Sequence, residues 1–154
     1  MLAFDKWTCN TNGRQAIFFR RRSEARNQAP APHDAQMPYQ TQMPYQAQMI
    51  DQGFCFNAGE WNFPDAPLRG LYTRHRVYEW VGGPEAFEAW IARIERLEAR
   101  DLEEAASEIP PEWYAEDASA LERLLEQLLR RRKMVMDLIV SAWKSSAQPF
   151  PNWK

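Results

Sequence analysis

Leucines recur at helical spacing late in the chain: Leu121, Leu124, Leu125, Leu128 and Leu129, then Val135, Leu138, Ile139 and Trp143. Steps of three and four residues place such side chains on one face of an α-helix. A stripe of this length has to be buried, so this part of the chain must fold as a helix laid on a core. Ser119 is expected to open it, with Glu122 three positions on as a capping box. The run Arg130-Arg131-Arg132-Lys133 reads as a solvated face. Helical signals begin earlier, at Pro84, a favourable first helical residue, with Glu85 in the first turn. Phe87, Trp90, Ile91, Ile94 and Leu97 then share a face. Asp101 is placed to cap a second short helix through about Ser107, stopped by Ile109-Pro110-Pro111. The tail from Ser145 carries prolines and is expected to be loose.

The N-terminal half reads differently. Met1-Leu2-Ala3-Phe4 looks like the end of a buried helix and leads into a polar loop. Ile17-Phe18-Phe19 reads as a short strand, and Gln46 to Ile50 as its partner. Between them lies a Pro/Gln-rich excursion, about residues 23–44, expected to be disordered and exposed. It holds a tandem repeat, Gln36-Met37-Pro38-Tyr39-Gln40-Thr41 and Gln42-Met43-Pro44-Tyr45-Gln46-Ala47, in which each proline blocks regular pairing. Phe54 to Pro64 has aromatic and turn residues without a helical period and reads as an ordered loop. Pro64-Asp65-Ala66-Pro67 is a further break. Leu71, Val77, Tyr78, Trp80 and Val81 suggest a short packed segment. The expected class is α+β: a hairpin region over 1–66, a helical subdomain over 67–144 and a loose tail over 145–154.

Composition excludes several function classes. Acidic residues outnumber basic ones by 21 to 19. That argues against a nucleic-acid partner, the alternative resting on Arg20-Arg21-Arg22, on Arg69, Arg74 and Arg76 near Tyr72 and Tyr78, and on the later Arg130 cluster, since basic residues beside aromatics can track a phosphate backbone. Cys9 and Cys55 are too few for a disulfide framework, and the N-terminus has no secretory pattern, so reduced thiols and a cytoplasmic location are expected. No apolar run approaches membrane-spanning length. His33 and His75 lack partners at metal-ligand spacing, which argues against a zinc site or a Ser-His-Asp triad.

The functional signal is Met49-Ile50-Asp51-Gln52-Gly53-Phe54. An apolar pair delivers one carboxylate to the end of a strand, and a glycine is expected to free the backbone to turn. A carboxylate so placed suits a phosphotransferase, where it holds Mg²⁺ against the phosphates of ATP. The order of polar loop, strand, excursion, strand and Asp-x-Gly is that of the catalytic half of a kinase-like fold. The competing reading is an ordinary strand-to-turn aspartate.

Three stretches carry a family resemblance: Phe4-Asp5-Lys6-Trp7-Thr8-Cys9-Asn10-Thr11-Asn12-Gly13-Arg14-Gln15, Met49 to Phe56, and Ile109-Pro110-Pro111-Glu112-Trp113-Tyr114 with the leucine-rich helix after it. The chain resembles the C-terminal portion of the HipA-like protein kinase family, in a bacterial branch. The resemblance implies the mainly helical C-lobe of a kinase-like fold, ATP and Mg²⁺ as cofactors, and phosphoryl transfer to a protein serine or threonine hydroxyl. It implies Asp51 as a metal carboxylate and Asn10 as a second metal ligand and cofactor contact. Asp5, Asn12 and Arg14 fall in the catalytic loop, Asp5 as its only carboxylate and Arg14 as a phosphate partner. The loop departs from the family's Asn-x-Asp-Arg-His pattern. Asn12 stands at the aspartate position, Gly13 at the arginine, Arg14 at the histidine, and Ile17 at a later metal-binding asparagine. An amide cannot accept a proton as a carboxylate does. No Gly-rich loop or strand lysine precedes the catalytic loop, so the nucleotide-gripping lobe would have to lie N-terminal to Met1. The expectation is a truncated kinase, weak or inactive alone; the alternative is a non-catalytic helical interaction module on a kinase-derived scaffold.

Overall fold

A computed structural model describes residues 1–13, 16–20, 45–114 and 117–154. Two short strands, β1 (Ala16–Arg20) and β2 (Tyr45–Met49), pair antiparallel, with Ala16 opposite Met49 and Arg20 opposite Tyr45. Helices α1 (Leu2–Trp7), α2 (Glu85–Glu95), α3 (Ala99–Ser107), α4 (Ala118–Arg131) and α5 (Val135–Trp143) make up the body, so the architecture is α+β. Arg14 and the excursion over 23–44, including most of the tandem repeat, lie outside the described residues.

The core forms where α1 meets α2 and α5. Leu2, Ala3 and Trp7 of α1 are buried with Ile91 of α2 and Val135, Ile139 and Ala142 of α5. The Trp7 indole N–H donates to the Leu128 carbonyl at 2.9 Å, tying α1 to the last turn of α4. The hairpin is held to the body by Phe18, whose ring meets Tyr72 edge-on at 4.9 Å. A two-stranded sheet is marginal without such packing.

Several boundaries differ from the sequence expectation. The capping residue of α4 is Asp117, not Ser119: its carboxylate accepts from the Ala120 N–H and the Ser119 hydroxyl, both at 2.9 Å. Asp101 sits inside α3, where its carboxylate accepts from the Glu98 N–H at 2.8 Å. The expected single C-terminal helix is two, because Arg132–Met134 tighten into a 3₁₀ turn between α4 and α5. Trp90 is exposed, with Arg93 stacked on its ring at 5.4 Å, whereas Phe87, Ile91 and Ile94 are buried as the spacing predicts.

Two corrections matter more. The basic run does not simply face solvent: Arg131 is only 4% exposed. Its Nε donates to the Lys6 carbonyl at 2.9 Å, and its Nη1 donates to the Phe63 carbonyl at 3.2 Å and the Asp65 carboxylate at 3.3 Å. Nor is the tail over 145–154 loose. Phe150 and Trp153 are buried, Trp153 stacks on Trp143 at 5.2 Å, and Phe150 meets Tyr78 at 5.3 Å. Prolines stop regular structure there, but two large aromatics supply enough apolar surface to bring the segment onto the core.

Candidate functional site

The site grows out of the C-terminal end of α1. The helix closes at Thr8, and Cys9 takes a left-handed φ of 50°, which turns the chain so that the Asn10 N–H bonds back to the Asp5 carbonyl at 2.9 Å. Asp5 on α1 is 1% exposed and Asn10 is fully buried. Burial of polar groups at this depth requires hydrogen-bond partners, and they are present. Asn10 Nδ2 donates to Asp5 Oδ1 at 3.1 Å and to Gln52 Oε1 at 3.2 Å. Its side-chain Oδ1 accepts from the Asn12 backbone N–H at 3.0 Å.

Asn12 carries the string outward. Its Nδ2 donates to Asp51 Oδ2 at 3.0 Å, across the mouth of the hairpin. Asp51 is exposed just beyond the end of β2. A continuous set of hydrogen bonds thus runs from the buried Asp5 through Asn10 and Asn12 to the exposed Asp51, with Gln52 bracing Asn10 from the side. Gln52 also donates to the Ile50 carbonyl at 2.9 Å and accepts from the Cys55 thiol at 3.7 Å. Sequence reasoning passed over Gln52; its place beside Asp51 in a polar turn was the available signal.

The loop after Gly53 is moulded onto the same region. Phe56, Asn57 and Ala58 have φ near +60°, a conformation uncommon for residues with a side chain. They are held there by Phe56 N–H to the Thr8 carbonyl at 2.6 Å and Asn57 N–H to the Cys9 carbonyl at 3.1 Å. Such strain persists only where surrounding contacts over-determine it. Gly53, expected to free the turn, has no left-handed φ; among the described residues the glycine that does is Gly70, at +71°. A Cβ there would lie 3.0 Å from Asp5 Cβ and 3.2 Å from the Asn10 carbonyl oxygen. Backbone therefore presses directly on the inner pair, and only glycine fits.

The inner charges of this region are a buried carboxylate and a buried ammonium side by side. Lys6, beside Asp5, is 1% exposed, and its ammonium donates to the Pro67 and Arg69 carbonyls. Burial lowers its pKa to about 8, with Asp5 opposing that shift. Burial also raises the Cys55 thiol above its usual range, which makes it a poor nucleophile.

The candidate residues divide by accessibility. Asp51 is open to solvent, and a carboxylate offers about four acceptor positions, so the bond from Asn12 leaves room for a cation. Asn10 is enclosed and committed on both ends of its amide, which fits a residue that orients Asn12 rather than one that reaches a metal. Asp5 lies behind Asn10, out of reach of a substrate hydroxyl. Among the described residues, no cluster of three or more His, Cys, Asp or Glu side chains is arranged to hold a metal. Mg²⁺ does not need such a cluster, since it binds through one or two carboxylates together with phosphates and water. Among the described arginines considered for a nucleic-acid patch, Arg131 points inward, Arg69 donates to Asn57, Arg76 pairs with Glu79 at 3.7 Å, and Arg130 pairs with Glu126 at 3.2 Å. Among the described residues no helix is long and apolar enough to cross a membrane. No protein family, curated protein or solved structure matches the chain.

Proposed function

We propose that this chain is the C-terminal lobe of a HipA-like kinase and that its site binds Mg²⁺ and ATP phosphates through Asp51, with little or no phosphoryl transfer. The observation that supports this most is the 3.0 Å bond between Asn12 and Asp51. Residues far apart in sequence, at the positions the resemblance gives to the catalytic loop and the metal carboxylate, meet at the mouth of one hairpin. ATP and Mg²⁺ are the cofactors of this reading, and the ancestral acceptor is a hydroxyl on a protein partner.

Transfer needs a base beside that hydroxyl. Asn12, at the base position, is an amide, and Asp5, the loop's only carboxylate, is buried. What remains suits phosphate-bound Mg²⁺ held by one carboxylate: binding without an efficient chemical step. The same amide favours the second reading, a non-catalytic protein-interaction module on a kinase-derived scaffold, in which Asn12 and Asp51 serve only to close the hairpin.

Calorimetric titration with ATP and Mg²⁺ separates the two. Saturable binding that is lost in Asp51→Asn supports the nucleotide site. The variant keeps an acceptor for the Asn12 amide, so the hairpin should stay closed. No heat in the wild-type chain, or undiminished binding in Asp51→Asn, overturns the nucleotide reading.

A further inference from the structure

We infer that Lys6 is a positioning residue for the Asp51 site, acting through the Pro64–Gly70 segment. This segment is gripped at both ends by buried cations. Arg131 holds its start through the Phe63 carbonyl and the Asp65 carboxylate. Lys6 holds its end through the Pro67 and Arg69 carbonyls. The two cations are themselves joined, because Arg131 Nε donates to the Lys6 carbonyl at 2.9 Å.

The consequence falls on Gly70, the residue after the second carbonyl that Lys6 holds. Gly70 sits so close to Asp5 and the Asn10 carbonyl that a methyl group would crowd both. Pulled down by Lys6, the segment forms a floor under the Asp5–Asn10 pair. Asn10 in turn fixes Gln52 and the Asn12 backbone, and Asn12 meets Asp51. Lys6 touches none of the atoms that would meet a ligand, yet every link between it and Asp51 is a direct contact. A lysine suits the task because an ammonium presents three donors from one point, enough to satisfy two converging carbonyls. The helix places it there: Lys6 follows Asp5 on α1, so one turn supplies both the carboxylate above the floor and the cation below it.

The positioning itself is independent of the nucleotide reading; only its effect on ligand affinity rests on it. The test is a pair of measurements on the full chain, wild type, Lys6→Met, Lys6→Arg and Gly70→Ala. The first follows the side-chain amide resonances of Asn10, Asn12 and Gln52 by NMR without ligand, with the indole N–H signals of Trp143 and Trp153 as a check on the distant core. The second titrates Mg²⁺ with ATP on the same samples. In Lys6→Met the Asn10 and Asn12 amides should shift while the indole signals stay, and affinity should fall about tenfold or more, the scale set by outer-shell partners of metal ligands. Lys6→Arg, which keeps a cation for the same carbonyls, should recover part of both. If Lys6→Met does not fold, Gly70→Ala decides, since it disturbs the same pair from the floor itself. Unmoved Asn10 and Asn12 amides in a folded Lys6→Met, or in Gly70→Ala, overturn the inference. Shifted amides with no ligand response in the wild type uphold the positioning and overturn the nucleotide reading instead.

Discussion

Replacing Trp153 with alanine should be among the most damaging single changes in this chain, although it lies in a segment that looks like a frayed end. The indole is 9% exposed. It stacks on Trp143 at 5.2 Å with an interplanar angle of 15°, and meets Phe150 at 5.1 Å and Phe87 at 6.1 Å. An aromatic side chain buries about 150–250 Å². At about 25 cal/mol per Å² that amounts to roughly 4–6 kcal/mol. The value is an upper bound, because the denatured chain already hides part of that surface. Large-to-small core replacements of Phe and Trp cost about 3–5 kcal/mol, which agrees. Against a total stability of about 5–15 kcal/mol, the loss takes a large share. For a chain of this size each kcal/mol moves Tm by about 2–4 °C, so Tm should drop by roughly 6–20 °C. Urea unfolding followed by far-ultraviolet circular dichroism measures this without relying on tryptophan emission. The slope should hold while the midpoint falls. A loss below about 1 kcal/mol, the scale of an ordinary surface change, would refute the argument and return the tail to a loose segment.

Arg131→Met should destabilise by about 1–3 kcal/mol, because the half-buried Phe63 carbonyl loses its side-chain donor and the buried Lys6 carbonyl keeps only the longer bond from the Cys9 N–H at 3.4 Å. The exposed Asp65 contact adds little, and Arg131→Lys should recover only part, lacking the planar fork that serves several oxygens at once; chemical denaturation of the three chains tests both. The lowered Lys6 pKa makes stability depend on pH. The folded value is about 8 against 10.5 for the free side chain, so across that window the unfolded chain binds more protons and this group's contribution to stability rises with pH. Tyr78 and Cys55, both raised by burial, act in the opposite direction at alkaline pH. The difference in urea midpoint between wild type and Lys6→Met, followed from pH 7 upward, isolates the lysine and should widen in favour of the wild type; a constant difference contradicts it.

What could be read without coordinates, and what could not, follows from the range of the interactions involved. Phe87, Ile91 and Ile94 announce their helix because a 3.6-residue period is local information. The β1–β2 pairing was legible for a similar reason, as two short strands bounded by polar stretches. Arg131 was not: within its run it resembles its neighbours, and only the Lys6 carbonyl, 125 positions away, singles it out. The break between α4 and α5 carries no proline or glycine to mark it, and Trp153 finds Trp143 and Phe87 only once the core exists. In the candidate site, Asp51 and Asn12 stood out by pattern, whereas Asn10 looked like a metal ligand because residue type says nothing of burial. Gly70 stayed hidden because what it makes room for, Asp5 and Asn10, is remote in sequence.

The hairpin register gives chain length a definite direction of tolerance. Asp51 lies just past the Ala16–Met49 pair, and Asn12 faces it from the other strand's approach. A slip of two residues would keep every side chain on its face yet carry Asp51 away by roughly 6–7 Å, since a strand advances about 3.3 Å per residue. The connection between Arg20 and Tyr45 is at the opposite end of the ladder. Residues gained there lengthen the connection, at a cost that grows only logarithmically, and leave the Asn12–Asp51 meeting point where it was. A tandem duplication can therefore accumulate at that end of the hairpin while the other end keeps its spacing.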